Sequence, residues 1–146
     1  MDKNKTIIQD IPKEQQWYLI DAQNQNLGRL SSQIATTILG KNKIQFLPYQ
    51  ENNVHIIIIN SKDIKVTGNK DKQKTYKRHS GRPGGLKIEK FNEVQKRIPN
   101  KILEHSIKGM LPKNTLGRNL YKKINIYSNN EYPSYMSKNI KTLNIN

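Results

Sequence analysis

No cysteine occurs anywhere in the 146 residues. That absence removes disulfides, thiolate zinc sites, iron–sulfur ligation and a cysteine nucleophile together, and it fits a reducing compartment. Long apolar runs are missing too: nothing approaches the roughly 18 residues of a membrane-spanning helix, so no membrane partner is expected. The opening stretch MDKNKTIIQDIPKEQQ (1–16), read as an N-terminal extension, has no apolar signal-peptide core. Its acidic residues and lack of arginine run against a transit peptide, so the chain is expected to act in the compartment that makes it. Acidic side chains are scarce as well, 11 Asp plus Glu against 26 Lys plus Arg, for a net charge of +15. Such an excess repels itself unless a polyanion neutralises it, and solubility alone needs a magnitude of only roughly 2–8. The expected partner is nucleic acid or an anionic surface.

What is present reads as one α/β domain spanning 1–146. A chain of this length buries about 70% of its unfolded surface, and no internal repeat or low-complexity linker divides it. The aromatic and aliphatic WYLIDA (17–22) predicts a strand. In NLGRLSSQIATTILGK (26–41), Leu27, Leu30, Ile34 and Ile38 recur at spacings of three and four, which predicts a helix that Gly40 stops. VHIIIIN (54–60) is β-branched almost throughout and suits a central strand covered on both faces. Strand, helix, strand in that order makes a right-handed βαβ unit with parallel strands. DIKVTG (63–68) reads as a further strand or a turn. KIEKFNEVQKRIP (87–99) predicts a helix with Phe91, Val94 and Ile98 inward. Pro99 separates it from a second, NKILEHSIKGML (100–111), with Ile102, Leu103 and Ile107 inward. KKINIYS (122–128) reads as a last strand, and the tail from Asn129 as polar and irregular.

Catalytic constellations are thin. His55, His79 and His105 lie far apart without paired acidic ligands, so no metal is expected; His55 reads as a strand residue and His105 as a helix-surface one. Asp21 stands at a strand end, where α/β enzymes put catalytic carboxylates, but bonding to the following turn is the simpler role. GNKDKQKT (68–75) resembles a phosphate loop only faintly: it lacks the second glycine before the lysine and leads into no periodic helix. No cofactor or small-molecule substrate is expected.

The basic segments are different. From Lys62 to Lys87 nine Lys or Arg face only Asp63 and Asp71. Within KTYKRHSGRPGGLK (74–87), Gly81, Pro83, Gly84 and Gly85 oppose regular structure and allow close backbone approach. Successive amides there can converge on an anion. Arg78 and Arg82 can fork onto phosphate, Lys74, Lys77 and Lys87 act as point charges, and Tyr76 or His79 can stack on a base. A stretch of this kind is expected to be mobile alone and ordered against its partner. KGMLPKNTLGRNLYKK (108–123) adds Lys108, Lys113, Arg118, Lys122 and Lys123 without one acid, again broken by Pro112 and Gly117. Two irregular basic segments on a compact core suit folded RNA read by shape and backbone. The rival readings are an RNA-processing or RNA-modifying enzyme using Asp21 or His79, and a generic DNA-binding module. The first lacks clustered carboxylates and the second lacks a groove-reading helix.

The blocks WYLIDA…LGRL…LGK, VTGNK, Y-x-RHSGRPGGLK and KGMLPKNTLGR follow one another as in the large-subunit ribosomal protein numbered thirteen in bacteria, and the chain resembles that family from about Trp17 to Tyr132. The resemblance implies a three-layer α/β/α fold with a small, mainly parallel central sheet, plus basic loops and a polar C-terminal tail (129–146). It implies binding to large-subunit ribosomal RNA early in assembly and in the mature ribosome, neighbouring ribosomal proteins, and no catalysis. Carried over by position, the RNA-facing loops fall on Lys70 to Lys87, including Ser80, and on Lys108 to Lys123, including Asn114. Where the family usually has an Asp-x-Gly-Asp turn, this chain has Glu51-Asn52-Asn53-Val54. The form RHSGRPGGLK is most similar to the plastid and cyanobacterial branch. With a composition rich in Ile, Lys and Asn, this points first to an organelle-encoded protein of the plastid (chloroplast) ribosome and second to the bacterial cytoplasm.

Overall fold

In a computed structural model, the structure describes residues 15–44, 46–133 and 140–143; residues 1–14 of the N-terminal extension lie outside the described residues. The first strand, β1 (Gln16–Asp21), leads into helix α1 (Leu27–Leu39). The 3–4 spacing does what it should: Leu27, Leu30, Ile34 and Ile38 are buried, with Ser31 and Ala35 beside them. The buried Ser31 hydroxyl donates to Leu27 O at 2.7 Å, so no orphan donor enters the core. Gly40 ends the helix at φ 75°, and the Gly40 and Lys41 amides close onto the Thr37 and Thr36 carbonyls at 3.0 Å each, a Schellman arrangement.

Strand β2 (Val54–Ile59) is buried at all positions but His55. It lies parallel to β1, with Gln16 opposite Val54 and Asp21 opposite Ile59. Two short strands complete a four-stranded sheet, β5 (Ile124–Ile126) beside β2 and β6 (Ile140–Thr142) beside β1, in the order β5-β2-β1-β6. Every pairing in it is parallel, and helices flank it, as an α/β protein requires. Helices α3 (Phe91–Arg97) and α4 (Asn100–Met110) follow the second half of the chain around the core. Phe91, Val94, Ile102, Leu103 and Ile107 join α1 and the Val54, Ile56 and Ile58 face of β2 in one cluster. Pro99 precedes α4, where its missing N–H costs nothing.

Four expectations need correction. Residues 74–87 are not irregular throughout: after the one-turn helix α2 (Lys70–Gln73), β3 (Thr75–His79) and β4 (Leu86–Lys90) pair antiparallel as a hairpin. The glycines and Pro83 are confined to its tip, which leaves two five-residue arms free to pair. The helix expected from 87 therefore starts at Phe91, because Leu86 to Lys90 belong to the hairpin. Glu93 marks that start by accepting the Lys90 amide at 3.2 Å. DIKVTG, expected as a strand or a turn, takes the turn: a 3-10 turn at Ser61–Asp63 is followed by one isolated bridge between Asn26 and Lys65. The second basic segment contains helix α5 (Thr115–Tyr121), and the tail is not wholly irregular, since Ile140–Thr142 is β6 and the Leu143 amide donates to Leu19 O at 3.0 Å.

Candidate nucleic-acid interface

The register of the hairpin sorts its side chains onto two faces. Tyr76 lies opposite Glu89 and Arg78 opposite Lys87; alternating with them, Lys77 lies opposite Ile88 and His79 opposite Leu86. The first set lines a cleft of about 540 Å³ between the hairpin and α3–α4, completed by Arg97, Lys101 and His105. Thr75 and Lys77 also border the cleft, while Leu86 and Ile88 are exposed on the hairpin.

Tyr76 is the pin of the cleft. Its ring meets His105 edge-on at 5.4 Å, and Lys74 Nζ sits 5.5 Å from its centroid. Half-buried, its phenol is pushed above its ordinary pKa by desolvation. The ring thus holds the hairpin on α4 through its edge contact with His105. Glu89 is the cleft's carboxylate; it is ion-paired with Arg97, and Lys101 Nζ stands 3.9 Å away. No ion pair among the described residues engages Lys77, Arg78, Arg82 or Lys87, and all four are exposed.

The tip is held by its own backbone. Gly81 and Gly84 take φ 86° and 73°, the left-handed region that glycine occupies freely. The Gly85 amide donates to Arg82 O at 3.0 Å and the Ser80 amide to Gly85 O at 3.2 Å. His79 is exposed, and its Nδ1 accepts the Gly81 amide at 2.9 Å. Gly85 leaves no room for a side chain, since a Cβ would lie 2.0 Å from Ser80 Oγ. Around Gly81 and Gly84 there is open space, so another backbone can come close there.

The second basic segment lies at the far end of α4. Lys108, Lys113, Arg118 and Lys122 are exposed. Asn114 caps α5, its Oδ1 accepting the Gly117 amide at 2.8 Å. Lys123 stands apart from the others: its ammonium is 2.8 Å from Glu51 and donates to Asn52 O at 2.6 Å, with its side chain only 17% exposed. Asn52 in turn donates to Leu39 O at 2.7 Å. The departure Glu51-Asn52-Asn53 thus forms a clasp between the end of α1 and the start of β5.

Lys70 is exposed and donates to Thr67 Oγ1 at 3.1 Å. With Lys74 it borders a cleft of about 580 Å³ that also takes in Arg29 at the start of α1. Arg29, Arg97 and Lys101 are cations that sequence reasoning missed. They lie outside the two basic segments, and the packing of α1, α3 and α4 brings them alongside the basic loops.

The candidate catalytic groups are engaged in structure. Asp21 Oδ1 accepts the Gln23 amide and the Asn60 side-chain amide, both at 2.9 Å, the turn-bonding role expected of it. His55 stacks on Trp17 at 4.5 Å within the sheet, and its pKa is lowered by burial and by the charge of Lys123. Among the described residues no group of three or more His, Asp and Glu could hold a metal ion.

Fold and faces together define a class: a small, strongly cationic α/β protein with exposed basic loops. Comparison with known proteins makes this specific. The family model described as Ribosomal protein L13 matches residues 15–133, and the chain belongs to the ribosomal protein L13 family, as the HSG…GG and GMLP blocks suggested. It is 58% identical over 130 residues to the large ribosomal subunit protein uL13c of Gracilaria tenuistipitata var. liui, covering 89% of this chain and 91% of that one. It is 50% identical over 143 residues to uL13 of Prochlorococcus marinus, covering 97% and 95%. Against uL13c of Porphyra purpurea the identity is 48% over 135 residues, covering 92% and 95%.

Proposed function

We propose that this chain is a structural constituent of the large ribosomal subunit, and that it clamps folded ribosomal RNA between its basic hairpin and the segment from Lys108 to Lys122. Membership of a ribosomal protein family carries the first half and leaves no role for the enzyme alternative. The observation that supports the second half is the hairpin itself: Lys77, Arg78, Arg82 and Lys87 are exposed without a carboxylate partner among the described residues, around a glycine tip with open space beside it. Such cations contact phosphate and position the protein without reading bases. Lys70, Lys74 and the Arg29 cleft extend the same face. Lys123, Tyr76 and Asn114 serve it indirectly by holding the loops in place.

The plastid and cyanobacterial relatives support a ribosome of plastid or bacterial type. We place it in the plastid, encoded in the organelle, on the Ile/Lys/Asn-rich composition and the form of the RHSGRPGGLK block. Neighbouring large-subunit proteins are its further partners.

The test is the triple variant Lys77→Ala, Arg78→Ala, Arg82→Ala against a large-subunit RNA fragment. Each phosphate contact releases about one counterion, so the slope of log K against log salt should fall by about 3. An unchanged slope would remove the hairpin from the interface.

A further inference from the structure

The hairpin's cleft contains the carboxylate of Glu89; the concavity of the second basic segment contains none. Between the end of α4 and α5 lies a half-open cup of about 480 Å³, within the range of roughly 300–1,000 Å³ typical of small-molecule sites. Leu111 and Pro112 make part of its wall apolar, and the Tyr121 ring adds an aromatic face. Lys108, Lys113, Arg118 and Lys122 stand around it, and no carboxylate lines it.

Backbone packing builds this wall. Gly117 is buried in α5, and a Cβ there would lie 1.8 Å from Pro112 O. Only glycine lets α5 close against the Leu111–Pro112 turn and bring Arg118 and Tyr121 to the same rim. Lys108 Nζ stands 5.9 Å from the Tyr121 centroid. Partial burial, and the negative charge of Glu104 on α4, raise the Tyr121 pKa, so the ring stays a neutral phenol at physiological pH.

A phosphate alone needs cations and amides; it has no use for an apolar wall or a ring. A base alone needs the wall and the ring, not four cations. A cup with both fits a group that is flat and apolar on its faces and flanked by phosphates. We propose that this cup receives a single unstacked nucleotide of the bound RNA, its base against Tyr121 and Pro112 and its flanking phosphates on Arg118, Lys113, Lys108 and Lys122. The inference rests on the RNA-binding reading above and adds to it a bulged or looped-out nucleotide, since a base within a regular duplex could not leave its stack without cost.

Nuclear magnetic resonance on the whole chain tests this, with three probes added in turn: inorganic phosphate, adenosine 5′-monophosphate and a large-subunit RNA fragment. The RNA should move the Tyr121 ring and Gly117 amide resonances, and the mononucleotide should move the same ones more weakly. Inorganic phosphate should move only the rim cations. Tyr121→Leu, which keeps the apolar bulk, should weaken RNA binding by roughly 5- to 150-fold, the range for one lost base–aromatic stack, with the salt slope unchanged. Arg118→Ala should lower the slope by about 1, and it keeps the test alive if Tyr121→Leu fails to fold. RNA that shifts Lys77 and Arg78 while leaving Tyr121 and Gly117 unmoved overturns the cup and leaves the hairpin interface standing. Mononucleotide and phosphate giving the same shifts overturns it too, reducing the site to phosphate. Absence of any RNA binding by the wild-type chain overturns the RNA-binding reading itself, and this inference with it.

Discussion

Lys122 and Lys123 are adjacent and carry the same charge, yet only one of them faces outward. Lys123 is clasped by Glu51 and the Asn52 carbonyl, and its charge reaches His55 as well, reinforcing what burial has already done to that imidazole. His55 lies opposite Trp17 in the sheet and stacks on it, so a proton on the ring would enter a partly dry site beside a fixed cation. Its pKa in the folded chain is below the ordinary value near 6.5, so on acidification the unfolded chain takes the proton first. Above about pH 6.5 both states are neutral there and the residue adds no pH dependence. As the pH falls from about 6.5 through the folded value, protonation favours unfolding and stability drops. Urea midpoints at pH 7 and pH 5 should therefore fall further for the wild type than for His55→Gln. Equal falls would mean that His55 titrates alike in both states. The protein's one tryptophan gives a direct readout, because a stacked imidazolium quenches indole fluorescence: Trp17 emission should dim with a midpoint below 6.5.

At the scale of elements, the hairpin stands away from the main sheet and leans on α4 through Tyr76. That ring contributes half-buried area and an edge contact with His105, which together argue for a cost of about 2 kcal/mol on Tyr76→Ala. Tyr76→Phe should cost little, since no hydrogen bond of the phenol is at stake in the contact with His105. Hydrogen exchange reads the consequence locally. Amides of 75–79 and 86–90 should exchange faster in Tyr76→Ala while those of β2 stay protected; uniform loosening would show that the hairpin is not a separable unit. The same elements show what the sequence disclosed. Helices α1 and α4 were legible because each carries a long apolar stripe at 3.6-residue spacing, and β2 because four consecutive isoleucines suit a strand covered on both sides. The hairpin arms were not. Thr75 to His79 has no apolar alternation, and its β structure comes from pairing with Leu86 to Lys90, a tertiary event that overrides weak local preference. Strand β6 was hidden for the same reason, three residues long and ordered by the edge of β1. The basic loops were legible as charge, but their faces were not: nothing in the sequence separates Lys123, held in a clasp, from Lys122, or marks Tyr76 as the contact with His105.

For the whole molecule, the charge that marks the interface also acts against the fold. A net charge of +15 on 146 residues is carried on a surface where only three ion pairs occur among the described residues, so most of the lysines and arginines repel one another in the free protein. Screening shortens that repulsion to about 10 Å at 0.1 M salt. The melting temperature of the free chain should therefore rise between about 0.02 and 0.3 M salt, the reverse of what a protein held by surface ion pairs would do. Ribosomal RNA should do more, because it binds the folded state and neutralises the same cations. At a free RNA concentration of about 100 times Kd, linkage adds about 2.7 kcal/mol. For a chain of this size that corresponds to a shift of roughly 5–10 °C. The two agents should also oppose each other: salt that stabilises the free protein releases it from RNA, so in the complex the melting temperature should fall as salt rises. Differential scanning fluorimetry along one salt series, with and without the RNA fragment, measures both slopes. Opposite signs would show that one set of charges destabilises the free chain and binds the RNA; slopes of the same sign would separate the two roles and place the binding energy in contacts other than the cationic hairpin.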